Sequence, residues 1–106
     1  NSASVAITNQ ERLPDRFELY QNFPNPFNPV TTIRFNLPSR QKTKLEVFDV
    51  LGQKVRTLLD KQIEAGVYKI QWDGQNDQGN PIGSGIYFYR ISAGEYVKTM
   101  KAVLLK

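Results

Sequence analysis

From Thr32 to Leu37 the chain alternates at every step, with Ile33, Phe35 and Leu37 on one side and Thr32, Arg34 and Asn36 on the other. A two-residue period is the mark of a strand with one face in a core and one in water. The pattern recurs in Lys44–Val50, where Leu45 and Val47 oppose Glu46 and Phe48, and in Lys54–Leu59, where Val55, Thr57 and Leu59 share a side. It recurs again in Val67–Trp72, with Tyr68, Ile70 and Trp72 together, and in Ile86–Ser92, where Tyr87, Tyr89 and Ile91 oppose Ile86, Phe88 and Arg90. Turn chemistry separates the runs: Pro38, Leu51-Gly52, the long Asp73–Gly83 region and Ala93-Gly94. Phe17–Tyr20 reads as a short first strand and Glu95–Leu105 as the last. No stretch carries a helical period. Strands separated by turn signals every ~8–12 residues predict an all-β antiparallel sandwich of about seven strands. Its expected core is Ile33, Phe35, Leu45, Val47, Ile70, Trp72, Tyr87, Tyr89 and Ile91.

Before the first long strand stand Pro24, Pro26 and Pro29. Proline fixes φ, lacks an N–H and restricts the residue before it. Asn22–Pro29 is therefore expected to be extended and outside any central strand, a rigid crossing between sheets, with Phe23 and Phe27 as core anchors. Residues 1–16 are polar and read as a linker with one short strand at Val5–Thr8, and residues 17–106 as the domain. Pro14 marks its start. A chain of 106 residues fits one domain with a real core.

Composition narrows the chemistry. Hydrophobic residues make up 40% and charged residues 23%, which suits a folded domain rather than a disordered one. No apolar run approaches the roughly 18–20 residues that span a bilayer as a helix. With no His and no Cys, neither Ser–His and Cys–His nucleophile pairs nor the common zinc sites can form. The ten acids fall mostly at turns or outward strand positions, without the pocket that a carboxylate-pair mechanism needs. The expectation is a non-catalytic protein without cofactor or essential metal. The net charge of +4 is scattered, and only Arg40–Lys44 clusters, where a loop is expected. Nucleic-acid binding wants a continuous basic face, so solvated strand faces explain the lysines better.

Two further features carry a functional and a structural reading. Asp73, Asn76 and Asp77 offer oxygen ligands at calcium-like spacing, but no Glu closes the loop, and a set of Asx turns explains them better. Tyr87-Phe88-Tyr89 puts aromatics on both faces of one strand. An exposed strip could meet a sugar or a partner, whereas a strand buried on both sides needs none.

Four segments together resemble the C-terminal sorting domains of cargo for the bacterial type IX secretion system. They are PNPFNP with TTIRFNLP at Pro24–Pro38, VFDVLGQKV at Val47–Val55, AGVYKIQWDG with NDQGNPIGSGIYFYRI at Ala65–Ile91, and the terminal KTMKAVLLK. The related immunoglobulin-like domain of the flagellar hook-capping protein shares the WDG, the turn and the SGIY-like residues. The resemblance covers about residues 17–106. It implies an immunoglobulin-like or fibronectin-III-like sandwich, monomeric and borne behind N-terminal cargo domains. It implies passage through an outer-membrane translocon to the cell surface or medium, with removal by a sortase-like peptidase in many members. Residues that such a translocon would read are Pro24, Asn25, Pro26, Gly85, Tyr87, Lys98, Lys101 and Lys106, the lysines forming a charged edge on the final strand. That the chain stops at Lys106 favours sorting over the alternative, a structural or carbohydrate- or protein-binding module such as a spacer or hook-cap-like assembly domain.

Overall fold

The alternating runs become strands because only a pleated pair of sheets buries every second residue at once. A computed structural model describes residues 13–106. The expected strand at Val5–Thr8, and most of the expected linker, lie outside the described residues. Seven strands follow in order: β1 (Glu18–Leu19), β2 (Thr31–Leu37), β3 (Gln41–Phe48), β4 (Lys54–Ile63), β5 (Gly66–Trp72), β6 (Gly85–Ala93) and β7 (Tyr96–Leu104). They form a three-stranded sheet, β1-β2-β5, and a four-stranded sheet, β4-β3-β6-β7, with every strand pair antiparallel. The immunoglobulin-like sandwich is thus observed, and no helix occurs among the described residues.

The core lies between the inner faces. Ile33, Phe35 and Leu37 of β2 meet Leu45 and Val47 of β3, Tyr89 and Ile91 of β6, and Ala102 and Leu104 of β7, all buried. Ile70 and Tyr87, expected deep in the core, are half-buried and pack at its margin. For Ile70 the reason is position: β5 is an edge strand of the smaller sheet, with a neighbour on one side only.

Three local readings are corrected. The Arg40–Lys44 cluster is not a loop, because β3 begins at Gln41. Two of its three charges are met across the hairpin, Lys42 by Asp60 at 3.5 Å and Arg40 by Glu64 at 3.0 Å, so the strand extends in water. β4 does not keep one alternation. Leu45 pairs with Leu59 but Glu46 with Thr57, and Val47 pairs with Arg56 but Phe48 with Lys54, so Leu58 and Val55 are extra residues at two bulges. Thr57 therefore shares a face with Glu46, while Val55, Leu58 and Leu59 all pack on the core. Finally, the proline segment bends twice rather than running extended. Phe23 bridges to Thr32 in one sheet and Phe27 to Leu104 in the other, so the segment crosses the sandwich edge. Phe27 is buried, but Phe23 is 79% exposed and Asn22 takes the inward position instead.

Candidate functional site

A strand at the edge of a sheet leaves a row of N–H and C=O groups without partners. β7 is such a strand, and the proline segment closes its last turn of residues. The Gln21 Nε2 donates to the Lys101 carbonyl at 2.7 Å, and the Val103 N–H donates to Asn25 Oδ1 at 2.9 Å. The Phe27 N–H then donates to the Val103 carbonyl at 2.9 Å, and the Leu105 N–H to the Phe27 carbonyl at 3.0 Å. Prolines cannot donate, so the donors toward β7 are the Gln21 side-chain amide and the Phe27 N–H, while Asn25 Oδ1 and the Phe27 carbonyl accept. The clamp stops there; Val97 and Thr99, further back along β7, remain exposed.

The clamp is seated on a buried polar network. Asn22, 2% exposed, donates from Nδ2 to Thr31 Oγ1 at 2.9 Å and to the Pro24 carbonyl at 3.2 Å, and Thr31 Oγ1 donates to that same carbonyl at 2.9 Å. The Tyr89 hydroxyl accepts the Asn22 N–H at 2.8 Å and donates to the Tyr20 carbonyl at 2.7 Å. One phenol of the four-stranded sheet thereby fixes the backbone of the strap on the other side of the core.

Burial pushes the Tyr89 phenol up to about 12, against a smaller opposing pull from the Asn22 N–H. Tyr87 and Tyr96 are raised as well, chiefly by burial. The fold favours the neutral phenol, so this stability is whole below the unfolded value of about 10 and is lost as pH rises from there toward 12. Denaturant melts across this range are expected to show a loss of about 2 kcal/mol attributable to Tyr89, absent from the difference curve of Tyr89→Phe. An equally steep alkaline loss in the variant would assign the effect to other groups.

Under the strap lies an aromatic cluster. Phe27 packs on Trp72 at 5.3 Å between ring centres, and Tyr87 meets Trp72 edge-on at 5.8 Å. The Trp72 indole donates to the Gln75 carbonyl at 3.0 Å, and the Tyr87 hydroxyl to the Gly83 carbonyl at 2.7 Å. Gly74 is required here: its φ is +73°, and a Cβ would stand 3.1 Å from the Pro29 carbonyl and 3.8 Å from Leu104. Gly85, at φ +152°, starts β6 opposite Leu104.

Of the residues singled out from the sequence, Pro24, Asn25, Pro26, Gly85, Tyr87 and Lys101 converge on this end, and the Lys106 N–H joins it by donating to Ser84 Oγ at 2.9 Å. Lys98 does not. It pairs with Ile91, a core residue, whereas Lys101 pairs with Phe88 on the outer face, so the lysines form no single charged row. The strand's pleat separates positions an odd number apart. Gln21, Asn22 and Thr31 were missed, although amides and hydroxyls beside a proline run are the natural donors where prolines have none.

The Asp73–Asn80 loop spends its oxygens on the protein. Asp73 Oδ1 accepts from Arg56 and from the Gln75 N–H, both at 3.2 Å, and Asn76 Oδ1 accepts from the Gln78 and Asn80 N–H groups at 3.0 Å. Asp77 closes the opposite sheet edge: its Oδ1 accepts the Thr57 N–H and its own N–H donates to the Val55 carbonyl, both at 2.9 Å. No group of three or more acids that could hold a metal ion occurs among the described residues. On the outer face, Phe88 lies half-buried beside Phe48, and the Arg90 guanidinium sits over the Phe48 ring at 4.5 Å.

Comparison with known proteins bears on this geometry. The family model of the FlgD Ig-like domain matches residues 28–101. No curated protein matches the sequence. Among solved structures, dimeric latent PorU from Porphyromonas gingivalis superposes with a TM-score of 0.68 at 23% identity, over 82% of this chain and 9% of PorU. PorZ, an essential surface component of the type-IX secretion system of the same bacterium, superposes with a TM-score of 0.55 at 19% identity, over 97% of this chain and 13% of PorZ. At these identities the likeness is one of fold, and the chain corresponds to about a tenth of either protein.

Proposed function

The chain belongs to the FlgD Ig-like domain family, and from that premise we propose that it is a non-catalytic sorting domain. It directs attached N-terminal cargo domains through the type IX outer-membrane translocon to the surface or medium, where a sortase-like peptidase can act on them. One observation carries this reading. The PNPFNP segment and the terminal strand, remote in sequence, are one hydrogen-bonded unit at one end of the sandwich. A translocon that accepts unrelated cargo must read a common shape, and a strand clamped in place is a preorganised one. The fold shared with a segment of PorZ is consistent with the same system.

The test is a reporter fused ahead of residues 17–106 in a host with type IX secretion. The reporter is expected at the surface or in the medium. Lys101→Ala is expected to abolish export while leaving the melting curve in place, because its side chain is exposed and such changes cost under about 0.5 kcal/mol. Family membership itself favours a second reading, an assembly or spacer module as in hook-capping proteins. Retention of the reporter in the periplasm, or normal export of both Lys101→Ala and a chain lacking Met100–Lys106, would decide for that module.

A further inference from the structure

The outer face of the three-stranded sheet holds a groove of about 460 Å³ lined by Gln21, Phe23, Thr32, Arg34 and Lys69. That volume falls within the range of small-ligand sites, about 300–1,000 Å³. Three features set it apart from an ordinary sheet face. First, Phe23 presents its ring to solvent, yet its backbone is pinned by two bonds to Thr32, at 3.0 and 2.9 Å. Second, Arg34 and Lys69 stand directly opposite each other on β2 and β5, an unfavourable pairing of like charges. Among the described residues neither has a carboxylate within 4.0 Å, a state shared with Lys44, Lys61, Lys98, Lys101 and Lys106, but only Arg34 and Lys69 line this groove together. Third, the Arg34 guanidinium is steadied at 4.6 Å over the Tyr20 ring, and no acid lines the groove. A guanidinium held by a ring face keeps its N–H edge free for a planar anion.

We propose that this groove binds an anionic saccharide, with the apolar C–H face of a sugar ring on Phe23 and its acidic group between Arg34 and Lys69. The reading is independent of the secretion assignment. A peptide is less well served. The groove opens on a sheet face, where the β2–β5 ladder and the Phe23–Thr32 bridge use the main-chain groups between these strands; strand addition to this pair is open only at the outer edge of β5, across β2 from Phe23. Side-chain recognition remains, by one aromatic wall and two cations.

The experiment is a titration of the isotope-labelled chain by NMR with trigalacturonate, glucose 6-phosphate and N-acetylglucosamine 6-sulfate, which separate carboxylate, phosphate and sulfate. Maltotriose and hexaglutamate serve as the neutral sugar and the acidic peptide. At least one anionic saccharide is expected to saturate with shifts confined to Phe23, Thr32, Arg34 and Lys69, more weakly as salt rises. Phe23→Ala and Arg34→Gln should each weaken it by on the order of tenfold, given what stacking and charge-assisted bonds contribute. These side chains are exposed, so melting curves should hold; Lys69→Gln is the second charge variant should Arg34→Gln disturb Tyr20. Absence of saturation by all three acidic sugars, equal binding of maltotriose, tighter binding of hexaglutamate, or full affinity in Phe23→Ala would each overturn the proposal.

Discussion

Trp72→Ala is expected to lower the stability of the domain by about 3–5 kcal/mol, the range for deleting a large buried aromatic. Trp72 is 1% exposed at the end of β5, and its ring is held by Phe27 on one side and Tyr87 on another. Alanine would leave a void that neither ring can fill without leaving its own contacts. It would also take one of two donors from the Gln75 carbonyl, leaving Arg56 alone to hold the loop whose Asp77 closes the β4 edge. Since domains of this size are stable by only about 5–15 kcal/mol, the variant should unfold at much lower urea with an unchanged slope. Trp72→Phe keeps most of the ring and should recover most of the loss. A loss below about 1 kcal/mol in Trp72→Ala would show that the strap collapses into the space and that the packing is not specific.

What the sequence disclosed follows from which forces are local. β2, β5 and β6 were legible because each keeps a strict period of two against a single core, and residues such as Ile33, Phe35 and Ile91 are fully buried where alternation puts them. β4 was less legible because its two bulges insert Leu58 and Val55 without any compositional mark. The start of β3 was hidden for a different reason. Its exposed Lys42 is paired by charge with Asp60 across the hairpin, and its first inward residue is Thr43 rather than an apolar one. In the strap, Asn22 and Phe23 exchange the places that hydrophobicity assigns them. The buried amide is satisfied by Thr31, Pro24 and Gln21 together, and burying a polar group costs little once it is fully bonded. The candidate site was legible in its parts and not in its assembly. Asn25 and Val103 are joined by one hydrogen bond across 78 residues, and no local pattern encodes that contact.

Phe27→Ala is the variant that should separate the strap's two roles, anchoring and edge closure. Phe27 is 2% exposed, so truncation is expected to cost about 3–5 kcal/mol through the lost packing on Trp72. Its backbone also bonds Val103 and Leu105, and these bonds survive only if the strap stays seated. Asn25→Ala removes the side-chain half of the clamp while leaving the anchor, and is expected to cost about 1 kcal/mol, as for one net hydrogen bond. Hydrogen exchange distinguishes the two. In Asn25→Ala the Val103 amide should exchange faster while Leu105 stays protected by the Phe27 carbonyl. In Phe27→Ala both amides should lose protection together, at denaturant levels where the β2–β5 ladder still holds, because the edge opens as a local unit. If Val103 and Leu105 keep full protection in Phe27→Ala, the prolines and the Asn22 network alone hold the strap, and Phe27 is a core residue only. If all strands lose protection at once, β7 has no closure separate from that of the whole sandwich.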